Sequence, residues 1–256
     1  MSTELTVSLI SAAVALGSAV LAALLSARAA KAQVELQAEI DRQQAVRRRK
    51  EDRQDLMNRI RDPVLWSAFD LQSRIFNIVA QEFLAVYLIR GSAEQRAYAQ
   101  RNTLFLFAQY LAWVEIVRCS VQFLELGDKQ ENREVVNCFS KISSVLNSDG
   151  FPDCLFCIFR GDQRAIGEIM IDTAADGELG CLGYAEFCAR IDTDPSFAQW
   201  LARLSTHIEQ LAEADTSHPR LVALQHNLID LINLLDPESI RFPDWYRSKL
   251  EPGLVG

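Results

Sequence analysis

The sequence lacks the short motifs by which many enzymes are recognised. It contains no glycine-rich phosphate loop, no dinucleotide-binding fingerprint, no nucleophile elbow and no protein-kinase signature set. Only three histidines occur in 256 residues, and their spacing fits no metal-binding motif: they are His207, His218 and His226. These absences make an enzyme the less favoured class without excluding one, and no cofactor is predicted.

Two stretches resemble fragments of metal sites, but neither completes one. Cys154 and Cys157 have the two-residue spacing of zinc knuckles and dithiol oxidoreductases, whereas Cys181 and Cys188 are separated by six residues. The acidic stretch 172–178 begins like a calcium loop but lacks an acidic ligand at the third and twelfth loop positions. We therefore predict no metal site, and we expect the six cysteines to be reduced thiols in or near the core.

Charge and proline are absent from residues 5–27, which contain a single glycine. A helix of that length extends about 34 Å at about 1.5 Å per residue. This is enough to cross a hydrocarbon core of about 30 Å, so the sequence predicts a transmembrane helix over residues 5–27. A cleaved secretory signal is the alternative, but such a signal normally has a basic leading segment and a shorter apolar run.

Basic residues flank only the C-terminal side of the predicted span. Residues 1–4 contain no Lys or Arg, whereas Arg28 and Lys31 follow the span closely. Positive charge beside a span is retained in the cytoplasm. We therefore expect residues 1–4 outside and the rest of the chain in the cytoplasm. This topology is that of a single-pass signal anchor in the plasma (inner) membrane, with the lipid bilayer as one partner.

Small side chains form a stripe along the predicted span. Ser11, Ala15, Ser18 and Ala22 recur every three or four residues. Such a stripe lets two helices approach closely, so it predicts self-association of the spans. The alternative is that an alanine-rich helix contains such a stripe by chance.

Residues 28–61 contain neither Gly nor Pro and are rich in Ala, Gln, Glu and Arg, which are strong helix formers. Their apolar residues are too few and too unevenly spaced for a convincing heptad repeat. A helical stalk is therefore predicted. Because much of the basic charge lies in this stalk and the whole chain carries a net charge of −8, the rest of the chain is more acidic still. Nucleic acid is not predicted as a partner.

Residues 62–256 have the size of one domain with a single core, and we predict a mainly α-helical bundle. Asp62 and Pro63 are typical of a helix start, and helical spacing continues to about residue 90. The opposite face of this helix is expected to be a polar stripe that contains Asp70, Arg74, Asn77 and Gln81. A second helix is predicted over residues 93–126, and its stretch 103–114 is nearly apolar.

Further helices are predicted over residues 131–146, after Asp194-Pro195 and after His218-Pro219. An irregular or β-hairpin insert is expected at about 151–192. Within it, residues 154–171 fit either a hairpin that turns at Gly161-Asp162 or a strand that leads into a short helix. The aromatic C-terminal tail is expected to fold back as a flap, and its aromatic residues are Phe242, Trp245 and Tyr246.

Five charged residues form the candidate polar site of the domain. Glu115 and Arg118 are three residues apart and share a helix face, while Arg164 and Glu168 are four apart next to Arg160. Two arginines at a helix start can hold an anion. Structural ion pairs are the alternative interpretation.

These observations favour a membrane-anchored interaction, scaffold or sensor protein whose partner is another protein or a second copy. A membrane-tethered enzyme would need the five charged residues to converge in a cleft. An oligomerising membrane effector or pore would use the stripe of small residues.

Overall fold

The structure is a computed structural model that describes residues 3–121, 129–175, 177–213 and 218–251. The side chains of residues 3–13, 15, 23, 24, 27, 29, 49–58, 121 and 129–132 lie outside what it describes. The chain divides into two compact units, Met1–Asp55 and Leu56–Gly256. The protein is mainly helical, as the sequence predicts, and it contains one small two-stranded sheet.

The first helix, α1, spans Thr3–Ala80. It includes residues 5–27 and 28–61, so both predicted segments are helical. Across the described residues, none of the helices combines the length and the apolar character that crossing a membrane requires. Much of the predicted span, including the side chains of residues 5–13 and of Ala15, lies outside the described side chains.

The expectation that a new helix begins at Pro63 is wrong, because α1 continues through this residue. Proline lacks the N–H that a helix interior uses, and such a position typically costs about 3 kcal/mol. Packing offsets this cost, since the neighbouring Val64, Leu65 and Ala68 are almost completely buried in the core. The helix ends at Ala80 rather than near residue 90, because Glu82 has a left-handed backbone with φ of 51°.

A five-residue π-helical turn, Ala85–Ile89, follows the end of α1. The remaining helices and strands come in the order α2 (Ala93–Val121), α3 (Lys129–Asn147), α4 (Arg160–Ile169), β1 (Ile171–Thr173), β2 (Leu179–Cys181), α5 (Tyr184–Thr193), α6 (Pro195–Glu213) and α7 (Pro219–Leu235). A short 3₁₀ turn, Asp244–Tyr246, follows α7. The predicted extension of the second helix to residue 126 lies outside the described residues beyond Val121.

Helix α2, which is nearly apolar over residues 103–114, is at the centre of the bundle. It packs against α4, α5, α6 and β2, while α3 packs against α7. Its apolar stretch supplies a large part of the core, including Phe107, Ala108 and Tyr110, which are each at most 1% exposed. A helix that is apolar on most faces is stable only when other elements surround it, and this explains its central position.

Of the two alternatives for residues 154–171, the hairpin that turns at Gly161-Asp162 is wrong, because both residues lie in the first turn of α4. The short helix of the other alternative is confirmed, although no strand precedes it among residues 154–159. Ile166 and Met170 are four residues apart and both are buried, which is helical rather than alternating periodicity. A hairpin does occur in the insert, but further along the chain. There β1 and β2 pair antiparallel, with Ile171 opposite Cys181.

The two helices predicted from Asp-Pro and His-Pro starts are confirmed. Asp194 Oδ1 accepts hydrogen bonds from the backbone N–H groups of Ser196 and Phe197 at 2.9 and 3.2 Å, which caps α6. Helix α7 buries five leucines that recur at helical spacing: Leu221, Leu224, Leu228, Leu231 and Leu235.

The C-terminal tail folds back on the bundle, as predicted. Phe242 stacks on Phe69 of α1 with ring centroids 3.7 Å apart. Asp236 accepts hydrogen bonds from the backbone N–H groups of residues 240, 241 and 242, and it forms a buried ion pair with Arg247. These bonds fix the tail in one position although it contains little regular structure.

Candidate functional site

Four of the five predicted site residues come together where α4 packs on α2. The Arg118 Nε donates to Glu115 Oε2 across 2.7 Å, and Arg164 Nε lies 3.9 Å from the same oxygen. Glu168 is close enough for its charge to act on Arg118. Arg160 does not join them, because its guanidinium donates to Ser144 on α3 across 3.1 Å.

This ion-pair network is suited to holding two helices together rather than to catalysis. Glu115 is 3% exposed. Hydrogen bonding from Arg118 outweighs burial and lowers the pKa of the Glu115 carboxyl, which keeps it ionised and paired. Burial, assisted by Glu115, raises the pKa of the neighbouring Cys119 thiol, so this cysteine is a poor nucleophile.

Close packing of the two backbones supports this interpretation. A Cβ atom placed on Gly167 of α4 would lie 2.7 Å from the carbonyl oxygen of Leu111 on α2. Only glycine therefore allows the helices to approach this closely. The four charged residues lie beside this contact, and none of them lines either of two cavities in the described part of the second unit.

The larger of these cavities lies between the end of α1, the π-helical turn and the start of α2. Its volume is about 540 Å³. The wall combines aromatic rings with amide and carboxylate side chains: Asn77, Gln81, Phe83, Tyr87, Glu94, Gln95 and Tyr98. The space is open, since five of these seven residues are exposed. Arg74 is not one of the seven, but it stacks on two of the rings. Its guanidinium carbon is 3.8 Å from the centre of the Phe83 ring and 5.7 Å from that of Tyr98.

Arg74 was expected on an exposed polar stripe, but its side chain is only 7% exposed. Its Nη2 donates to Asn102 Oδ1 across 2.6 Å, while Nε and Nη1 are buried without a hydrogen-bond acceptor. Among the residues that the structure describes, no carboxylate pairs with this guanidinium. Burial lowers the pKa of Arg74 from its usual value, because the charged form loses its hydration.

The second cavity is small, about 10 Å³, and its wall includes His218 and Arg220. A space of this size holds no more than about one water molecule. Arg220 donates to the carbonyl oxygens of Val145, Ser148 and Asp153 across 2.7, 2.8 and 3.2 Å. It therefore closes the C-terminal end of α3, which is a structural role.

An exposed aromatic surface lies where the C-terminal tail meets α1. Trp66, Trp245 and Tyr246 are 50%, 72% and 55% exposed. Trp66 contacts Phe242 edge-to-face at 4.7 Å, and Tyr246 contacts Phe69 at 5.9 Å. We call these five residues the aromatic patch. The stacked pair Phe69 and Phe242 contacts two of the exposed rings, Trp66 and Tyr246, and Trp245 in turn contacts Tyr246 at 5.7 Å.

Metal binding finds no support in the described part of the chain, where no group of three or more His, Cys, Asp or Glu side chains is arranged to hold an ion. All six cysteines are free, and Cys154 is exposed whereas Cys157 is buried. Comparison of the chain with protein-family models, with curated proteins and with solved structures finds no match.

Proposed function

We propose that the protein is a membrane-anchored interaction protein that presents its helical domain to a protein partner in the cytoplasm. The observation that carries this proposal is the aromatic patch. Trp and Tyr side chains are enriched in the energetically dominant parts of protein interfaces. Three such rings side by side on one surface are more than the scattered exposure that is normal for soluble proteins.

The patch is built to bind without large rearrangement. Phe242 is stacked on Phe69, and the chain on either side of it is held by Asp236 through backbone hydrogen bonds and the ion pair with Arg247. Side chains that are already ordered lose little conformational entropy when a partner covers them. This rigidity supports a binding surface rather than a loose tail.

The membrane anchor is proposed over residues 5–27, with the stalk over residues 28–61. The support is the absence of charge in the span and the exposure of its described apolar side chains. Val14, Leu16 and Leu21 are 67%, 68% and 61% exposed in the first unit. Moving one such side chain out of water is worth about 1.5–3 kcal/mol, which favours lipid around this helix. Arg28 and Lys31 favour a cytoplasmic domain.

The enzyme hypothesis loses its main support. It required Glu115, Arg118, Arg160, Arg164 and Glu168 to converge in a cleft. Three of them instead form ion pairs at a close helix contact, Glu168 acts on Arg118 only through its charge, and Arg160 donates to Ser144 of α3. Charges that pair with one another at a helix contact are typical of structural ion pairs.

The interaction is tested with a photo-crosslinking amino acid placed in the full-length chain in its own membrane. At position 245 we expect a discrete adduct with one recurrent partner protein. The control places the same amino acid at position 200 of α6. Trp200 is also exposed, at 42%, but it lies outside the patch, so no such adduct is expected there. Identical adducts from both positions, or none from either, would contradict the proposal. An adduct only with a second copy would assign the patch to self-association instead.

A further inference from the structure

We infer that Cys154 and Cys157 form a redox-sensitive dithiol, which a peroxide closes reversibly to a disulfide in the loop between α3 and α4. The two-residue spacing of these cysteines is that of dithiol redox sites. The inference goes beyond the proposed function. It does not depend on the membrane anchor or on the aromatic patch, because no residue of either takes part.

The backbone places the two cysteines at the two ends of one turn. The N–H of Cys157 donates to the carbonyl oxygen of Cys154 across 3.1 Å, so residues 154–157 form a β-turn. The Cα atoms at the ends of such a turn are less than about 7 Å apart. Disulfides usually join residues whose Cα atoms are about 4.4–6.8 Å apart, so forming the bond requires little backbone movement.

Contacts with three helices hold this turn in one conformation. The N–H of Ile158 donates to the carbonyl oxygen of Leu146 in α3 across 2.8 Å. Inside the turn, the buried Phe156 stacks on Phe107 of α2, and its N–H donates to His207 of α6. A turn that is already ordered in the reduced protein loses little conformational entropy when the disulfide closes it.

Unequal burial gives the two thiols different roles. Cys154 is the exposed one among the six cysteines, all of which the structure describes, whereas Cys157 is only 7% exposed. The Cys157 Sγ lies 3.8 Å from the carbonyl oxygen of Ser148, and a thiol forms only a weak hydrogen bond of this kind, so rotation toward Cys154 costs little. An accessible cysteine beside a second, resolving cysteine is typical of redox sensors.

Three of the other cysteines are poorly suited to react. Burial raises the pKa of the thiols of Cys119 and Cys138, and it raises the pKa of Cys181 to about 12. A thiol with a raised pKa supplies little of the thiolate that attacks a peroxide. We therefore expect Cys154 to react first.

The oxidation has two steps. The Cys154 thiolate attacks one oxygen of hydrogen peroxide and breaks the O–O bond, which leaves a sulfenic acid on Cys154 and a hydroxide that takes up a proton. The Cys157 thiolate then attacks the Cys154 sulfur, forms the S–S bond and expels a second hydroxide. Together the two thiols lose two electrons and two protons, and the peroxide becomes two water molecules. A free thiol such as glutathione restores both cysteines by exchange, as is usual for sensing disulfides in the cytoplasm.

The test exposes the full-length protein in detergent micelles to hydrogen peroxide and then alkylates the remaining thiols in denaturant. Trypsin releases residues 142–160 as a peptide that contains Cys154 and Cys157 and no other cysteine. We expect this peptide to lose both alkylation sites together, to be lighter by two hydrogen atoms, and to regain both sites after treatment with dithiothreitol. Three outcomes would each overturn the inference: no oxidation, a sulfinic or sulfonic acid on Cys154 with Cys157 still alkylated, or a disulfide to a different cysteine.

A second measurement on the wild type compares the folded turn with the same cysteines in a free peptide. The full-length protein and a synthetic peptide of residues 142–160 are each equilibrated with reduced and oxidised glutathione. Because the fold already holds the two cysteines at the ends of one turn, the equilibrium constant for disulfide formation should be at least tenfold greater in the protein. An equal or smaller constant in the protein would overturn the inference.

Two variants test the separate roles. Cys157→Ser removes the resolving thiol, so labelling of the Cys154 sulfenic acid by dimedone should increase at least tenfold over the wild type. Cys154→Ser leaves only the buried thiol of the pair, so peroxide should oxidise Cys157 at least tenfold more slowly. Cys181→Ser is the control, since it changes a thiol of β2 and should leave the disulfide unaffected. Equal dimedone labelling of Cys154 in the wild type and in Cys157→Ser would contradict the resolving role.

Discussion

The imidazole Nδ1 of His207 accepts a hydrogen bond from the backbone N–H of Phe156 across 3.1 Å. Phe156 is fully buried, stacks on Phe107, and has a left-handed backbone with φ of 57°. A non-glycine residue in this conformation is strained and needs support from its surroundings. The bond requires an unprotonated Nδ1, so the neutral imidazole holds a strained residue of the core in place.

This bond predicts that the protein loses stability as the pH falls. Burial, together with the charges of Arg203 and Arg220, lowers the pKa of His207 below its usual value of about 6.5. The unfolded chain therefore takes up a proton before the folded chain does. The stabilisation is complete above the unfolded pKa, and it is lost as the pH falls below about 6.5 toward the lower pKa of the folded state.

The measurement is the free energy of unfolding of the full chain in denaturant at several pH values between 5 and 8. His207→Asn retains an acceptor for the Phe156 N–H but does not titrate, so its pH dependence should be shallower than that of the wild type. His218 contributes in the same direction, because burial also lowers its pKa. An identical pH dependence in the wild type and the His207→Asn variant would contradict this account.

The ion-pair network predicts a large difference between two glutamate substitutions. Glu115→Gln removes the charged acceptor of the Arg118 hydrogen bonds and of the Arg164 ion pair, which should destabilise the fold by about 1.5–3 kcal/mol. Glu186→Gln removes an exposed pair with Arg190, and we expect a change of at most about 0.5 kcal/mol. Chemical denaturation midpoints of the two variants compare the effects directly. Equal changes would mean that the network contributes no more than a surface pair.

The contact between α2 and α4 predicts opposite effects for two glycines of the same helix. Gly167→Ala would place a Cβ 2.7 Å from the Leu111 carbonyl oxygen, whereas a Cβ at Gly161 meets no atom within 4 Å. Overpacking typically costs about 1–3 kcal/mol, so Gly167→Ala should lower the thermal midpoint. Gly161→Ala should leave it unchanged or raise it, since alanine favours helices over glycine by up to about 1 kcal/mol. A similar response of both variants would show that the helices are not in close contact at Gly167.

The proposed anchor predicts how the full-length chain partitions with membranes. Changing both Leu16 and Leu21 to Arg should release the chain from alkaline-washed membranes, because each arginine near the middle of a span costs about 2.5–3.5 kcal/mol. The control changes Val34 and Leu36 to Arg, since these two stalk residues are also well exposed, at 69% and 62%. The wild type and the control should remain in the membrane pellet. If the wild type were released by the wash, or if both variants stayed in the membrane pellet, residues 5–27 would not be a membrane anchor.

The sequence predicts helices best where residues close together in the chain are sufficient to define them. The five leucines of α7 and the Asp194 cap of α6 are local features, and the structure contains both. Sequence patterns fail where contacts with distant parts of the chain determine where a helix begins or ends. Helix α1 continues through Pro63 because residues on its buried face pack into the core, and no local rule anticipates that.

The candidate sites divide in the same way. The pairing of Glu115 with Arg118 follows from their spacing on one helix, and Arg164 joins them only because α4 packs on α2. Arg74 looks like part of a solvated stripe in the sequence. Its burial depends on Tyr98 and Asn102 from α2 and on Phe83 beyond the end of α1, and helical periodicity within α1 contains none of these contacts.

The aromatic patch is proposed to join this chain to a protein partner at the membrane. The most direct test is the mass of the assembly that contains the full-length chain after mild detergent extraction from its native membrane. The wild type should run with a second protein in a complex larger than its own oligomer, and a variant with Trp66→Ala and Trp245→Ala should lose that protein while remaining folded. An assembly of the same mass and composition for both would contradict the claim.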